Sequence, residues 1–398
     1  MDHRPIVIVG TGLGGYSLAR EFRKLDGETP VLILTADDGR YYSKPILSNA
    51  YTSGKTPDTI ALADAAAMAS QLKATVRTGT RVTAIEPDRE TLRIEGKGIE
   101  GKGIDGEGIG GEPIAYRGLV LALGADPIHI PVAGSAADRV LSVNDLGDYT
   151  AFRAAMGAAR RIAVMGAGLI GSEFANDLTH GGIAVSVIEP ASWPLSRFVP
   201  EPVGRALERA LATLGVHWSL GRVVQSLDDE DGTVRVTLSD GTRFSADGVL
   251  SAVGLRPRTA LAAGTGLRIG RGIVVDRQLE TSVPGIYALG DCAEVEGLVL
   301  PFVMPIMHAA RALAKTLAGQ PTRVAYPAMP ILVKTTAFPV VVAPPATGVP
   351  GEWEIEVQPA GARGLYRGPD GRLLGFALAG EAVADKNVLT RALPPVLS

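Results

Sequence analysis

The chain has 398 residues, 46% of them hydrophobic and 20% charged, with 39 Lys and Arg against 42 Asp and Glu for a net charge of −3. This composition excludes a disordered chain and leaves no global basic surplus for nucleic acid or an anionic membrane. The single cysteine, Cys292, excludes an intrachain disulfide and any mechanism that cycles a cysteine pair, and it fits a reducing compartment.

The length predicts two or three domains, each with its own core. Met1–Pro5 is short and polar and reads as no signal peptide. No apolar run approaches the roughly 18–20 residues that span a bilayer, so the chain is expected to be soluble and cytoplasmic.

Pro5–Gly10 (PIVIVG) is a continuous apolar run, suited to a strand buried on both faces of a parallel sheet. Glycines punctuate from Gly10 to Gly15. Tyr16–Leu25 then places Leu18, Phe22 and Leu25 at near-helical spacing, and Val31–Thr35 reads as a returning strand. The turn is Gly10-Thr11-Gly12-Leu13-Gly14-Gly15, a G-x-G-x-x-G in the strand-to-helix context that gives it meaning. Gly10 makes the tight turn, Gly12 admits a pyrophosphate, and Gly15 lets helix and strand pack closely. The helix N-terminus adds amide donors and partial positive charge. An acid is expected about 20 residues further on. Thr35 and Ala36 occupy that place, followed by Asp37; either Asp37 or the backbone at Thr35–Ala36 lines the ribose.

The segment Ile94–Glu112 repeats IEGKG, IEGKG, IDGEG and IGGE, too glycine-rich to offset the cost of ordering. Thr91–Ile94 and Ile114–Tyr116 flank it and can pair as strands. The repeat reads as a floppy hairpin extension.

A second unit follows: strand Arg161–Gly166, helix Leu169–Leu178, strand Ala184–Glu189. Its turn is Gly166-Ala-Gly168-Leu169-Ile170-Gly171, and the returning strand ends on Glu189. A carboxylate there accepts bonds from both ribose hydroxyls and repels a 2′-phosphate, favouring NADH over NADPH; the plainer reading is an acid at an exposed strand end. Further on, strand Ile286–Leu289 delivers Gly290 and Asp291 to a strand end. Asp291 there accepts from a ribitol hydroxyl or caps the next turn. From Met329 the texture changes, with strands expected at Ile331–Val342, Trp353–Val357 and Leu373–Ala379, and a short helix at Ala382–Leu389.

Together these motifs, with Leu121–Pro127 (LALGADP) and Val253–Thr259 (VGLRPRT), resemble the FAD-dependent pyridine nucleotide-disulphide oxidoreductase superfamily over about residues 5–325. The stretch Tyr42-Ser43-Lys44-Pro45-Ile46-Leu47-Ser48 carries no cysteine, unlike the disulfide-active branches. It looks like the ferredoxin and rubredoxin reductases. With Val333-Lys334-Thr335 and the short C-terminal part, the closest likeness is to bacterial NADH:rubredoxin reductases. The glycine repeat and the shifted N-terminal acid depart from it.

The resemblance implies an α/β chain with two Rossmann-like dinucleotide-binding domains and a small α+β C-terminal domain. Residues 1–130 and 259–326 would bind FAD tightly, 131–258 would bind NADH as co-substrate, and 327–398 would form the C-terminal domain. Val82, Gly124, Gly254 and Val303 join the cofactor-lining positions. Lys44 would stand near the flavin and pair with Glu173, the two carrying the chemistry, with Pro45 beside them. Lys334 would lie by the flavin's far side or in an interface. His217 and His308 read as structural, and Cys292 as core packing. Hydride would pass from NADH to flavin, and single electrons to rubredoxin or a similar iron protein. Alternatives are a ferredoxin-type partner of an oxygenase, a nitric oxide reductase system, or an NADH oxidase serving oxygen or quinone. A flavin-holding redox sensor is the non-enzyme alternative; the intact second turn, Glu173 and Glu189 argue against it. Monomer and homodimer both remain open.

Overall fold

The computed structural model describes residues 3–96, 113–157 and 159–398. Most of the glycine repeat, from 97 to 112, lies outside the described residues, and so does its reading as a hairpin extension. Its flanks do pair: Thr91–Gly96 runs antiparallel to Ile114–Ala115.

The chain forms two compact units, Met1–Ser43 with Ala61–Asp126 and Arg256–Tyr326, and Lys44–Ile60 with Pro127–Leu255 and Pro327–Ser398. In the first, β1 (Ile6–Val9), α1 (Leu13–Arg23) and β2 (Val31–Leu34) make a βαβ unit. β1 lies inside a five-stranded parallel sheet, between β2 and Gly118–Leu121, with Ile286–Ala288 and Thr75–Arg77 at the edges. Every residue of β1 and β2 is buried, so the apolar runs in the sequence follow from a sheet covered on both faces.

The second unit repeats the arrangement with β3 (Arg161–Met165), α2 (Leu169–His180) and β4 (Ala184–Glu189). Its parallel sheet runs in the order His217–Leu220, β4, β3, Gly248–Ser251, Val140–Ser142. In both copies the residue before the glycine turn pairs with the last apolar residue of the returning strand. Val9 faces Leu34, and Met165 faces Ile188.

The C-terminal part of the second unit departs from the sequence expectation. The single strand expected over Ile331–Val342 is two antiparallel strands, Ile331–Val333 and Val340–Ala343. A turn separates them, closed by Phe338 N–H donating to the Thr335 carbonyl at 3.0 Å and by the Thr335 hydroxyl donating to the Phe338 carbonyl at 2.7 Å. Pro339 follows, and it fits the turn better than a strand interior. A strand at Gly361–Arg367, not expected, completes a five-stranded antiparallel sheet between Glu352–Gln358 and Leu373–Gly380. Its alternation is hidden by two glycines and an alanine. Val341, Leu365, Phe376, Leu378 and Leu389 form its core. The expected helix at Ala382–Leu389 is a 3-10 turn, Glu381–Asp385, leading into a helix at Lys386–Ala392.

Candidate dinucleotide sites

The two glycine turns have the same internal logic. Gly10 has φ +116°, and a Cβ there would lie 2.3 Å from the Ala122 carbonyl oxygen. A Cβ on Gly15 would lie 1.9 Å from the Gly10 carbonyl oxygen. Both must be glycine for the chain's own packing. Gly12 differs, because a Cβ there would meet nothing within 4 Å. The fold itself does not require its bareness; a group laid against the turn from outside would. In the second turn Gly166 has φ +99° and would place a Cβ 2.7 Å from the Ala252 carbonyl oxygen, Gly171 would meet Gly166 at 2.0 Å, and Gly168 again faces open space.

Gly12 and Gly168 are also the N-caps of α1 and α2, neither makes a side-chain cap, and neither first turn carries an acid. The first amides of both helices are therefore left open to an anion such as a dinucleotide pyrophosphate. Leu13 and Leu169 open the helices, and Ile170 is exposed on the first turn of α2.

The acids at the two strand ends differ. Glu189 ends β4 and folds back on its turn: Oε2 accepts from Ala167 N–H at 2.7 Å, and Oε1 from Ala191 N–H at 3.0 Å. Each oxygen keeps a second lone pair for a ribose hydroxyl. At the corresponding place after β2 stands Thr35, buried, followed by exposed Ala36 and Asp37. Val82 lies on Thr80–Glu86, whose first residue donates its N–H to the Thr35 carbonyl at 2.8 Å.

Gly124 has φ +72° and its carbonyl accepts from Arg258 N–H at 3.0 Å. Gly254 has φ +120° and accepts from Ile128 N–H at 3.0 Å. Gly290 and Asp291 form a 3-10 turn directly after Ile286–Ala288, and Val303 opens the helix Val303–Leu317. Cys292 is wholly buried, and burial pushes its thiol up to about 11, so at neutral pH it is a packed thiol and not a nucleophile.

Lys44 and Pro45 begin a 3-10 helix, Lys44–Asn49, in the second unit. The resemblance assigned Lys44 as the partner of Glu173. In the structure Glu173 is ion-paired with Lys334. The carboxylate is 2% exposed, and it also accepts from Ser48 Oγ at 2.5 Å and from Lys334 N–H at 2.9 Å. Lys334 Nζ donates in turn to Ser48 Oγ at 3.3 Å.

Sequence reading missed the neighbours on α2. Asp177 accepts from the amides of Tyr51 and Thr52 at 2.8 and 3.2 Å, while Asn176 binds Thr336 Oγ1 and Ala337 N–H. Glu173, Asn176 and Asp177 sit three and four positions apart and so share one helix face. All three are buried. Polar residues one turn apart, just after a dinucleotide turn, were the signal.

Residues 4–315 match the family described as Pyridine nucleotide-disulphide oxidoreductase, and residues 323–393 match the family described as Rubredoxin binding C-terminal domain. The chain is similar to a protein of Alcanivorax borkumensis named Rubredoxin-NAD(+) reductase, 48% identical over 394 residues and covering 99% of each chain. A protein of Acinetobacter baylyi with the same name is 43% identical over 398 residues, 99% of this chain and 98% of that one. Among solved structures, the covalent putidaredoxin reductase–putidaredoxin complex matches with a TM-score of 0.84 and 27% identity, over 98% of this chain and 94% of that one.

Proposed function

Because the chain belongs to the pyridine nucleotide-disulphide oxidoreductase family, we propose that it is an NADH-dependent flavoprotein reductase whose electron acceptor is rubredoxin. The observation that carries the choice of partner is full-length similarity to named rubredoxin-NAD(+) reductases together with a C-terminal stretch matched to a rubredoxin-binding domain. Residues 1–130 and 259–326 form the FAD domain in this reading, 131–258 the NAD domain, and 327–398 the docking domain. One free cysteine fits work in the reducing cytoplasm. No helix among the described residues is long and apolar enough to cross a membrane.

When bound, FAD would supply two-electron acceptance as hydride and one-electron release, the chemistry needed between NADH and an iron protein. The chain's own residues supply binding, orientation and charge. The turn Gly10–Gly15 and Asp291 retain the flavin nucleotide. The turn Gly166–Gly171 receives the NADH pyrophosphate on the amides of α2, and Glu189 holds the adenosine ribose. Lys44 supplies positive charge where electron uptake concentrates negative charge. Glu173, fixed by Lys334 and Ser48, holds a buried negative charge on the helix after the second turn. Cys292 takes no part, so electrons leave for the partner without a thiol relay.

Anaerobic stopped-flow mixing tests the reading. NADH should bleach the flavin band, and the reduced protein should then reduce rubredoxin faster than ferredoxin, cytochrome or oxygen. No bleaching removes the enzyme reading; faster ferredoxin reduction removes the choice of partner.

Glu189→Ala tests the NADH assignment separately. It removes charge-assisted bonds worth about 1.5–3 kcal/mol, on the order of 10- to 100-fold in kcat/KM for NADH. NADPH, which gains by losing the carboxylate, should suffer less, so the ratio of the two should fall. An unchanged NADH to NADPH ratio would remove Glu189 from ribose recognition.

A further inference from the structure

Residues Lys44–Ile60 are an excursion of the chain. They belong to the second unit, while the residues before them, Met1–Ser43, and after them, Ala61–Asp126, belong to the first. The segment contributes no strand to the sheets of the second unit. Its place there is therefore set by contacts with neighbouring elements. Lys44 opens the segment, on the 3-10 helix Lys44–Asn49, so whatever fixes the segment also fixes the backbone that carries Lys44.

The helix that fixes it is α2. Glu173 and Asp177 stand one helical turn apart on α2, and each takes the segment at a different point. Glu173 takes the Ser48 hydroxyl. Asp177 takes two consecutive backbone amides: Oδ2 accepts from Tyr51 N–H at 2.8 Å and Oδ1 from Thr52 N–H at 3.2 Å. The Thr52 hydroxyl donates in turn to the Asp177 carbonyl. Asp177 is 4% exposed. A buried carboxylate is costly unless hydrogen bonds replace its water, and these amides do so with charge-assisted bonds. Both bonds exist only with the segment in this place, so the desolvated charge holds it there. Ser48 is held through a side chain that can rotate, whereas Tyr51 and Thr52 are held through the main chain itself.

The Tyr51 ring is seated beside this grip. A Cβ on Gly181, just past the end of α2, would lie 2.5 Å from the ring, so the bare glycine makes room for it. The Arg153 guanidinium carbon lies 4.8 Å from the ring centroid. Further along, the Tyr149 hydroxyl donates to the Lys55 carbonyl at 3.2 Å. Asp177 itself stands roughly 12 Å along the axis from the start of α2, at 1.5 Å per residue, and so away from the amides that open the helix.

We propose that Asp177 is a positioning residue for the electron-transfer reaction: by gripping the Tyr51 and Thr52 amides it sets the segment whose first residue, Lys44, supplies positive charge to the flavin. The inference rests on that reading of Lys44. Asp177→Asn is nearly isosteric, but it keeps one acceptor and turns an NH2 group toward the other amide. Gly181→Ala leaves Asp177 in place and displaces the Tyr51 ring, so it serves as the second variant where Asp177→Asn folds poorly.

Each substitution is made in wild-type and in Lys44→Met protein. Anaerobic stopped-flow mixing with NADH gives the limiting rate of flavin bleaching and the NADH concentration at half that rate. Asp177→Asn should lower the limiting rate about tenfold, within the range for a reacting group displaced by a fraction of an ångström. Half-saturating NADH and flavin content should stay as in wild type. Gly181→Ala should act in the same direction. In Lys44→Met protein neither substitution should slow bleaching further. An unchanged limiting rate in folded Asp177→Asn, or in Gly181→Ala where that protein alone folds, would overturn the proposal. So would a slowing that persists undiminished in Lys44→Met protein, because Asp177 would then act through another group. Wild-type bleaching in Lys44→Met alone would remove the role of Lys44 and the proposal with it, an outcome read without any change at Asp177.

Discussion

Gly168→Val should leave the fold and the flavin content intact and remove most NADH-driven reduction. A Cβ at Gly168 meets nothing of the chain within 4 Å, so the substitution costs the apoprotein little. The same side chain fills the space over the amides of α2, where a pyrophosphate would be received. Two lost charge-assisted bonds amount to about 3 kcal/mol or more, roughly 100-fold in kcat/KM. Stopped-flow bleaching with NADH, flavin content and melting temperature together check it. Gly171→Ala is the contrast. Its Cβ would lie 2.0 Å from the Gly166 carbonyl oxygen, so the backbone itself must move and stability should fall with activity. If Gly168→Val bleached at the wild-type rate, NADH would have to bind away from this turn.

That contrast also shows what was readable without coordinates. The glycine turns were legible because the requirement is local: a strand, a left-handed glycine and a helix start lie within one short window. Both parallel sheets were legible because strands buried on both faces leave unbroken apolar runs. The strand end after the first turn stayed open between Asp37 and the backbone at Thr35–Ala36, since the sequence shows Thr35 at the strand end and cannot show that the Thr11 and Thr35 hydroxyls bind the Asp37 carboxylate. The strand expected over Ile331–Val342 failed at Thr335–Phe338 because a turn held by a threonine hydroxyl leaves no break in hydrophobicity at Ala337 and Phe338. The partner of Glu173 was expected to be Lys44, and the expectation failed for a related reason. Lys334 follows it by more than 150 positions, and only the packing of Ile331–Val333 beside α2 brings the two together.

Lys334→Met should be among the most destabilising single substitutions at a polar position of the second unit. The Glu173 side chain is 3% exposed and the Lys334 side chain 28%, so the ion pair is screened on one side only. Removing the ammonium leaves the carboxylate with two neutral donors, Ser48 Oγ at 2.5 Å and Lys334 N–H at 2.9 Å. Stranding a buried charge in this way costs about 3 kcal/mol. Replacing both partners removes the charge as well as its counter-charge, so Glu173→Gln with Lys334→Met should be more stable than Lys334→Met alone. Urea unfolding of the four proteins of the cycle measures the coupling. Exact additivity would mean that Ser48 and the backbone amide suffice to hold the carboxylate. The sign of the coupling also bears on the reaction. A Glu173 that depends on Lys334 ties the charge beside the second glycine turn to a residue of the C-terminal segment matched to rubredoxin binding. The Lys334→Met protein should then lose rate with NADH as well as stability, whereas a pair that serves folding alone would leave the bleaching rate of the folded fraction unchanged.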